Sequence, residues 1–258
     1  MKTPERDLEG ILAGMESSGP AQTIESLVDL ALSLPDAGES LLRTTPSLDA
    51  HAPGLRRRYL AYITAMERQA SAALRAQALR PGGFAEKTDD AGRLAYRRVD
   101  DLFEHLDFRR ARRFVMIGCG RMPVTVLQAC ERFPHLEILA LDSDAEAIEE
   151  ARDLCRELGL GGVRFELGCG EQHDFAGADV VFVANMVAPK SATLKRILDT
   201  GYAQTQVVLR EPYGLGRLWA DCAEDSLDPR VRVVLRGPGS RYLSRNVFLG
   251  GAEAGPRV

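Results

Sequence analysis

The sequence predicts an α/β fold, a doubly wound and mostly parallel sheet with an N-terminal helical module, and three observations carry that expectation. From residue 114 onward, short apolar runs alternate with helical patterns, which puts helices on both faces of a parallel sheet. The run Phe114–Ile117 leads straight into Gly118-Cys119-Gly120, and the next run, Ile138–Leu141, ends at Asp142. Before residue 110 the patterns are helical. The expected division is a helical module over 1–110 and an α/β domain over 111–258.

Residues 5–16 and 22–34 give two short helical patterns, separated by Ser17-Ser18-Gly19-Pro20 and closed by Pro35. The stretch 35–54 reads as a turn-rich connection, because Pro35, Pro46, Pro53 and Gly54 interrupt it. A longer helix is expected over 55–79, stopped by Pro81-Gly82-Gly83. Leu60, Ile63, Ala70 and Leu74 recur along one side of it, and Glu67 falls inside that stripe. A carboxylate facing packed surface needs a partner or a functional reason. Pairing with Arg68 or Arg98, or a place at the stripe's edge, is the structural alternative. A further helix over 91–106 carries Tyr96 on its apolar side, where a core aromatic and a functional phenol fit equally well. Arg109, Arg110, Arg112 and Arg113 read as a solvated face.

Helices over 123–132, 144–158 and 189–199 are expected to alternate with strands at 114–117, 138–141, 163–167, 179–184 and 206–209. Two late strands, 231–235 and 247–249, flank a glycine-rich link, and the tail 250–258 is expected to fray. Tyr213-Gly214-Leu215-Gly216-Arg217 reads as a flexible or substrate-facing loop. A sheet ending this way is that of a class I methyltransferase-like (Rossmann-like) fold. Its function belongs at the C-terminal strand ends.

Asp142 stands at such an end, where a carboxylate accepts hydrogen bonds from ribose hydroxyls. The alternative is an ordinary crossover with a capping aspartate. Gly118, Cys119 and Gly120 let backbone pass close to a ligand, but Arg121, Met122 and Pro123 follow instead of the third glycine of a dinucleotide fingerprint. A cofactor without pyrophosphate, S-adenosylmethionine, fits better than NAD. Ser143, Gly168, Cys169 and Asn185 complete the expected cofactor pocket, and Met186, Arg210 and Tyr213 are the candidate substrate contacts. An amine acceptor arrives as an ammonium, so a carboxylate or phenol must remove a proton. Glu67 and Tyr96 are the candidates, and burial would raise the Glu67 carboxyl.

Composition narrows the classes. The 258 residues are 45% hydrophobic and 27% charged, with formal net charge -4 and pI about 5.7, which disfavours nucleic acid as a general partner. The five cysteines form no CxxC pair or Cys/His metal spacing, so no metal is expected. MKTPERDLEG lacks an apolar signal segment and no window approaches a membrane span, so a cytoplasmic protein with no membrane partner is expected.

MERQASAAL at 66–74, the Tyr96 segment, IGCGRMPVT at 117–125, LALDSDAEAIEEA at 139–151, DVVFVANMV at 179–187 and VVLREPYGLGRLW at 207–219 resemble the nicotianamine synthase-like family. The resemblance covers roughly residues 55–235 and is strongest to bacterial members that make opine-type metallophores. It implies that S-adenosylmethionine donates its 3-amino-3-carboxypropyl (aminobutanoyl) group to the amine of histidine, and methylthioadenosine leaves. It also implies that Glu67 and Tyr96 surround the reacting amine, that the chain is a homodimer, and that an opine dehydrogenase acts downstream. Three departures stand out. Met66 replaces an alanine and the second acid of the helical segment is absent; Ala95-Tyr96 replaces a double aromatic; and Gly168-Cys169-Gly170-Glu171 replaces an aspartate near the third strand. A small-molecule N- or O-methyltransferase is the alternative enzyme, and a catalytically silent cofactor-binding or scaffold protein the alternative from another class.

Overall fold

In the computed structural model, residues 3–45, 47–77 and 99–251 are described. Helices α1 (Pro4–Ala13), α2 (Pro20–Leu32), α3 (Glu39–Thr44) and α4 (Leu48–Gln77) precede α5 (Asp100–His105). The α/β part follows as β1 (Arg113–Ile117), α6 (Val124–Arg132), β2 (Glu137–Asp142), α7 (Ala145–Glu157), β3 (Val163–Leu167), β4 (Val180–Val183), α8 (Lys190–Thr200), β5 (Gln206–Pro212), β6 (Val231–Arg236) and β7 (Ser244–Gly251).

The strands form one seven-stranded sheet in the order β3-β2-β1-β4-β5-β7-β6. The first five run parallel, and β7 lies antiparallel between β5 and β6. This is the expected class I methyltransferase-like architecture. The strand order reverses between β1 and β4, opening a crevice at their C-terminal ends. Both strands are buried on both faces, which is why they read as unbroken apolar runs. Phe114, Met116 and Phe182 feed the core on one side, and Val115, Ile117, Val181 and Val183 feed the other.

Two expectations about the helical part need correction. The stretch 35–54 is not a plain connection: it contains α3, and α4 begins at Leu48 and runs through Pro53. Proline there can give no N–H to the Asp49 carbonyl. The buried side chains of Leu48, Leu55 and Tyr59, packed with α2, offset that one bond. Leu60 is 53% exposed, so the inward stripe starts from its neighbour Tyr59. Tyr59, Ile63, Glu67, Ser71 and Leu74 then follow at helical spacing, and Glu67 keeps its inward place. Of the helix expected over 91–106, the structure gives α5; Tyr96 and Arg98 lie outside the described residues.

The segment after β5 is not an open loop. Gly214–Leu218 is a 3₁₀ helix, and Leu215, Leu218 and Trp219 close the core of the helical layer together with Leu8, Ile24, Leu41 and Leu55. Gly214 sits at φ +52°, with the Ala37 carbonyl oxygen where a side chain would stand. Trp219 stacks on Tyr59 with ring centroids 5.0 Å apart, an aromatic pair adding about 0.5–1.5 kcal/mol beyond area burial. The helical layer is thus completed by residues that arrive after the fifth strand. No helix among the described residues is long and apolar enough to cross a membrane.

Candidate active site

The glycine turn is held by β2. Gly118 N–H and Cys119 N–H both donate to the Leu141 carbonyl, at 2.8 and 3.1 Å. Gly118 has φ +76° and Gly120 φ +69°, conformations that favour glycine. A side chain on Gly118 would meet Val187 Cγ2 at 2.8 Å, so the turn after β4 presses on the turn after β1.

Asp142 organises the next layer. Its Oδ2 accepts from Gly120 N–H at 2.9 Å, and its Oδ1 accepts from Asp144 N–H at 3.0 Å. Each oxygen keeps a lone pair for a further donor, which suits a ribose diol. Asp144 caps α7 by accepting from Glu146 N–H at 2.9 Å, so the capping role falls to Asp144 and Asp142 is left to face the crevice. The Asp142 carbonyl takes Gly168 N–H at 2.9 Å, which draws the turn after β3 to the same edge. Ser143 is exposed, and Gly168 and Cys169 are half-buried there. Gly170 faces away, against Thr193 of α8.

Glu67 reaches this turn from the helical layer. Its Oε2 accepts the backbone N–H of Arg121 at 3.0 Å. A side chain on Gly120 would lie 2.7 Å from Glu67 Oε1. Gly120 is therefore needed for the glutamate as well as for backbone access. Burial pushes the Glu67 carboxyl up to about 7; the Arg121 N–H opposes this and the Asp142 charge adds to it. Cys119 is buried in the same turn, and burial, reinforced by the Asp142 and Glu67 charges, pushes its thiol far above the usual range. Its contribution is apolar packing and backbone.

Of the two expected structural partners of Glu67, Arg98 lies outside the described residues and Arg68 is engaged elsewhere. Arg68 turns to α7, where it pairs with Glu146 at 3.2 Å and Glu150 at 2.9 Å. Arg121, buried at 7% exposure, was not among the expected site residues. Its guanidinium lies 2.7 Å from Asp144, 3.4 Å from Glu146 and 3.6 Å from Glu150. The signal was present as acids four apart at 146 and 150 on the helix after LALDSD, which share one face.

Asn185 sits at a junction of apolar clusters. Its neighbours Ala184, Met186 and Val187 each pack into a different one, Met186 beside Tyr59 and Trp219. It is 9% exposed, and neither its Oδ1 nor its Nδ2 has a hydrogen-bond partner among the described residues. An amide in that position is costly unless a ligand completes it.

The other two candidate substrate contacts are engaged elsewhere. Arg210 Nε donates to Asn246 Oδ1 at 3.0 Å, its guanidinium lies 5.5 Å from the Phe182 ring centre, and Asn246 donates on to Asp101 at 2.7 Å. Glu211 pairs with Lys190 at 3.8 Å and not with Arg210, because adjacent strand residues point to opposite faces. Tyr213 donates to the Ser240 carbonyl at 2.8 Å. The described residues contain no cluster of histidine, cysteine and acidic side chains that could hold a metal ion.

Neither a protein-family model nor a curated protein matches the sequence. The fold has counterparts among solved structures. A glutamate-to-glutamine variant of MtNAS in complex with S-adenosylmethionine superposes with TM-score 0.80 at 15% identity, over 97% of this chain and 99% of that one. The chain shares the MtNAS fold. MtNAS in complex with MTA and tNA gives TM-score 0.76 at 16% identity, over 94% and 96% of the two chains. The mitomycin 7-O-methyltransferase MmcR gives 0.52 at 16% identity, over 95% of this chain and 75% of that one. Helical layer and sheet are both included in the MtNAS match.

Proposed function

We propose that the chain is an S-adenosylmethionine-dependent transferase of the nicotianamine synthase-like kind, which moves the 3-amino-3-carboxypropyl group to the amine of histidine. The observation that carries the reading is the Glu67 carboxylate lodged against the Gly120-Arg121 backbone beside Asp142. An ordinary nucleoside pocket requires the glycine turn and the acid; it does not require a buried carboxylate delivered from a separate helical layer.

S-adenosylmethionine fits the residues present. Asp142 has lone pairs for the ribose hydroxyls, Asn185 has a buried amide without a partner among the described residues, and Gly118 and Gly120 add no side chains to the turn. When bound, it would supply an electrophilic carbon; attack by the acceptor amine there forms the C–N bond and breaks the C–S bond, so that methylthioadenosine leaves with the electron pair. Glu67 then does the work of a general base. With its carboxyl near 7 it is substantially ionised at neutral pH, yet basic enough to draw a proton from an ammonium. Histidine as acceptor, a homodimer and a downstream opine dehydrogenase follow from the sequence resemblance, which also supplies the role of Tyr96; a cytoplasmic location is proposed from the lack of an apolar signal segment.

The fold shared with MmcR favours one other reading, methyl transfer. Incubation with labelled S-adenosylmethionine and either enantiomer of histidine separates the two. Methylthioadenosine and an aminobutanoate adduct are expected; S-adenosylhomocysteine as the main nucleoside would replace this reading with methyl transfer. Turnover with another amino acid alone would change the acceptor only.

A further inference from the structure

The charged groups around Glu67 form a closed ring. Arg68, the next residue on α4, and Arg121, whose N–H holds the Glu67 carboxylate, share the same two oxygens on α7. Glu146 Oε2 lies 3.2 Å from Arg68 Nη2 and 3.4 Å from Arg121 Nη2. Glu150 Oε1 lies 2.9 Å from Arg68 Nη2 and 3.6 Å from Arg121 Nη1. The ring therefore runs from Glu67 through the Arg121 backbone and guanidinium, across two carboxylates of α7, to Arg68 and back to Glu67. We propose that Glu146 and Glu150 act as a latch which, by bridging Arg68 and Arg121, seats Glu67 on the glycine turn, making Arg121 a positioning residue for the base.

This rests on the reading of Glu67 as the base, but the latch has an observable of its own. The helix does not depend on the latch for attachment. Arg75 pairs with Glu157 at 2.7 Å, and Leu74 packs in one cluster with Met122, Leu127 and Leu154. Loosening the latch should free the turn around Glu67 while the two helices stay together. Among the described residues, the groups facing the Glu67 carboxyl are Asp142 from β2, Cys119 and the N–H groups of Arg121 and Met122 from the glycine turn, and the Arg121 guanidinium. If Arg121 acted only as a nearby cation, its loss would push the carboxyl higher. If it positions, its loss admits water and the carboxyl falls toward the ordinary value of about 4.3.

The test is a ¹³C NMR titration of the Glu67 carboxyl in the wild type, in Arg121→Met and in the double variant Glu146→Gln/Glu150→Gln, which touches half-buried and exposed positions and leaves every buried side chain in place. Both variants should titrate below the wild type, whose value is expected near 7. With cofactor and acceptor present, kcat should fall by roughly 10²-fold from misplacement of the base, with the cofactor KM little changed. An unmoved or raised titration in the double variant overturns the latch. If the wild type transfers nothing yet the titrations fall as expected, the latch stands and the functional reading falls.

Discussion

Glu67 Oε2 accepts the Arg121 backbone N–H at 3.0 Å across the seam between the helical layer and the sheet. A residue from the middle of α4 thereby becomes part of a turn more than fifty positions later in the chain. Glu67→Gln preserves shape and can keep that bond, but it cannot take a proton. Turnover should fall by roughly 10²–10⁴, with cofactor binding retained in calorimetry. Near-normal turnover would make Glu67 a structural residue.

The raised Glu67 carboxyl also fixes a pH dependence. Its value in the fold, about 7, lies above the unfolded value, so the stability it contributes is present at acid pH and lost as pH rises toward and through 7. The loss amounts to at most about 3.5 kcal/mol. Urea unfolding at about pH 5 and about pH 8 should therefore cost the wild type more stability than Glu67→Gln. Equal changes in the two proteins would remove the assignment. In activity, kcat/KM should show an acidic limb near 7.

Asp142 holds Gly120 N–H and Asp144 N–H as well as offering lone pairs to the crevice. Asp142→Ala should weaken S-adenosylmethionine binding by roughly 1.5–3 kcal/mol, about 10- to 150-fold in affinity. Asp142→Asn, which keeps acceptor geometry on one oxygen, should lose less. Calorimetry showing unchanged affinity in both would discard the pocket.

Asn185 should trade stability for binding. Its buried amide has no partner among the described residues, so replacing it by leucine should relieve a penalty of roughly 1–3 kcal/mol in the ligand-free protein. Asn185→Leu should raise the urea midpoint and lower cofactor or acceptor affinity. A lower midpoint with unchanged affinity would show the amide to be satisfied within the protein.

Gly118 and Gly120 should respond differently from Asp142. A valine at Gly118 meets Val187 at φ +76°, so that variant should lose stability and is a poor probe of binding. Alanine at Gly120, strained in its own right at φ +69°, adds one carbon aimed at the Glu67 carboxylate. Gly120→Ala should displace Glu67 and lower turnover more than it lowers S-adenosylmethionine affinity; an equal loss in both would point to collapse of the whole turn.

The sheet was legible in the sequence because its causes are local. Runs such as Val115–Ile117 and Val180–Val183 are apolar on consecutive residues, and their shortness and β-branched content fit a strand covered on both faces. Gly118, Gly120 and Asp142 were legible for the same reason, since each sits at a fixed offset from a strand end. Glu67 announced itself as a charge inside an apolar stripe. Its partner did not: Arg121 stands 54 residues away, and only packing of α4 against the sheet layer brings Glu67 to its N–H. The same limit applied to residues 213–219. Their glycines suggested a flexible or substrate-facing loop, but those glycines let the backbone approach Ala37 and Leu243, and Trp219 then closes the helical core against Tyr59. Asn185 could be placed at a strand end from sequence, whereas the lack of a partner for its amide is a property of three clusters meeting around it. Local periodicity and turn chemistry determined the strands, their sequence along the chain and the turns at their C-terminal ends; which distant side chains share one volume, and so which charges are buried together, was decided by tertiary packing alone.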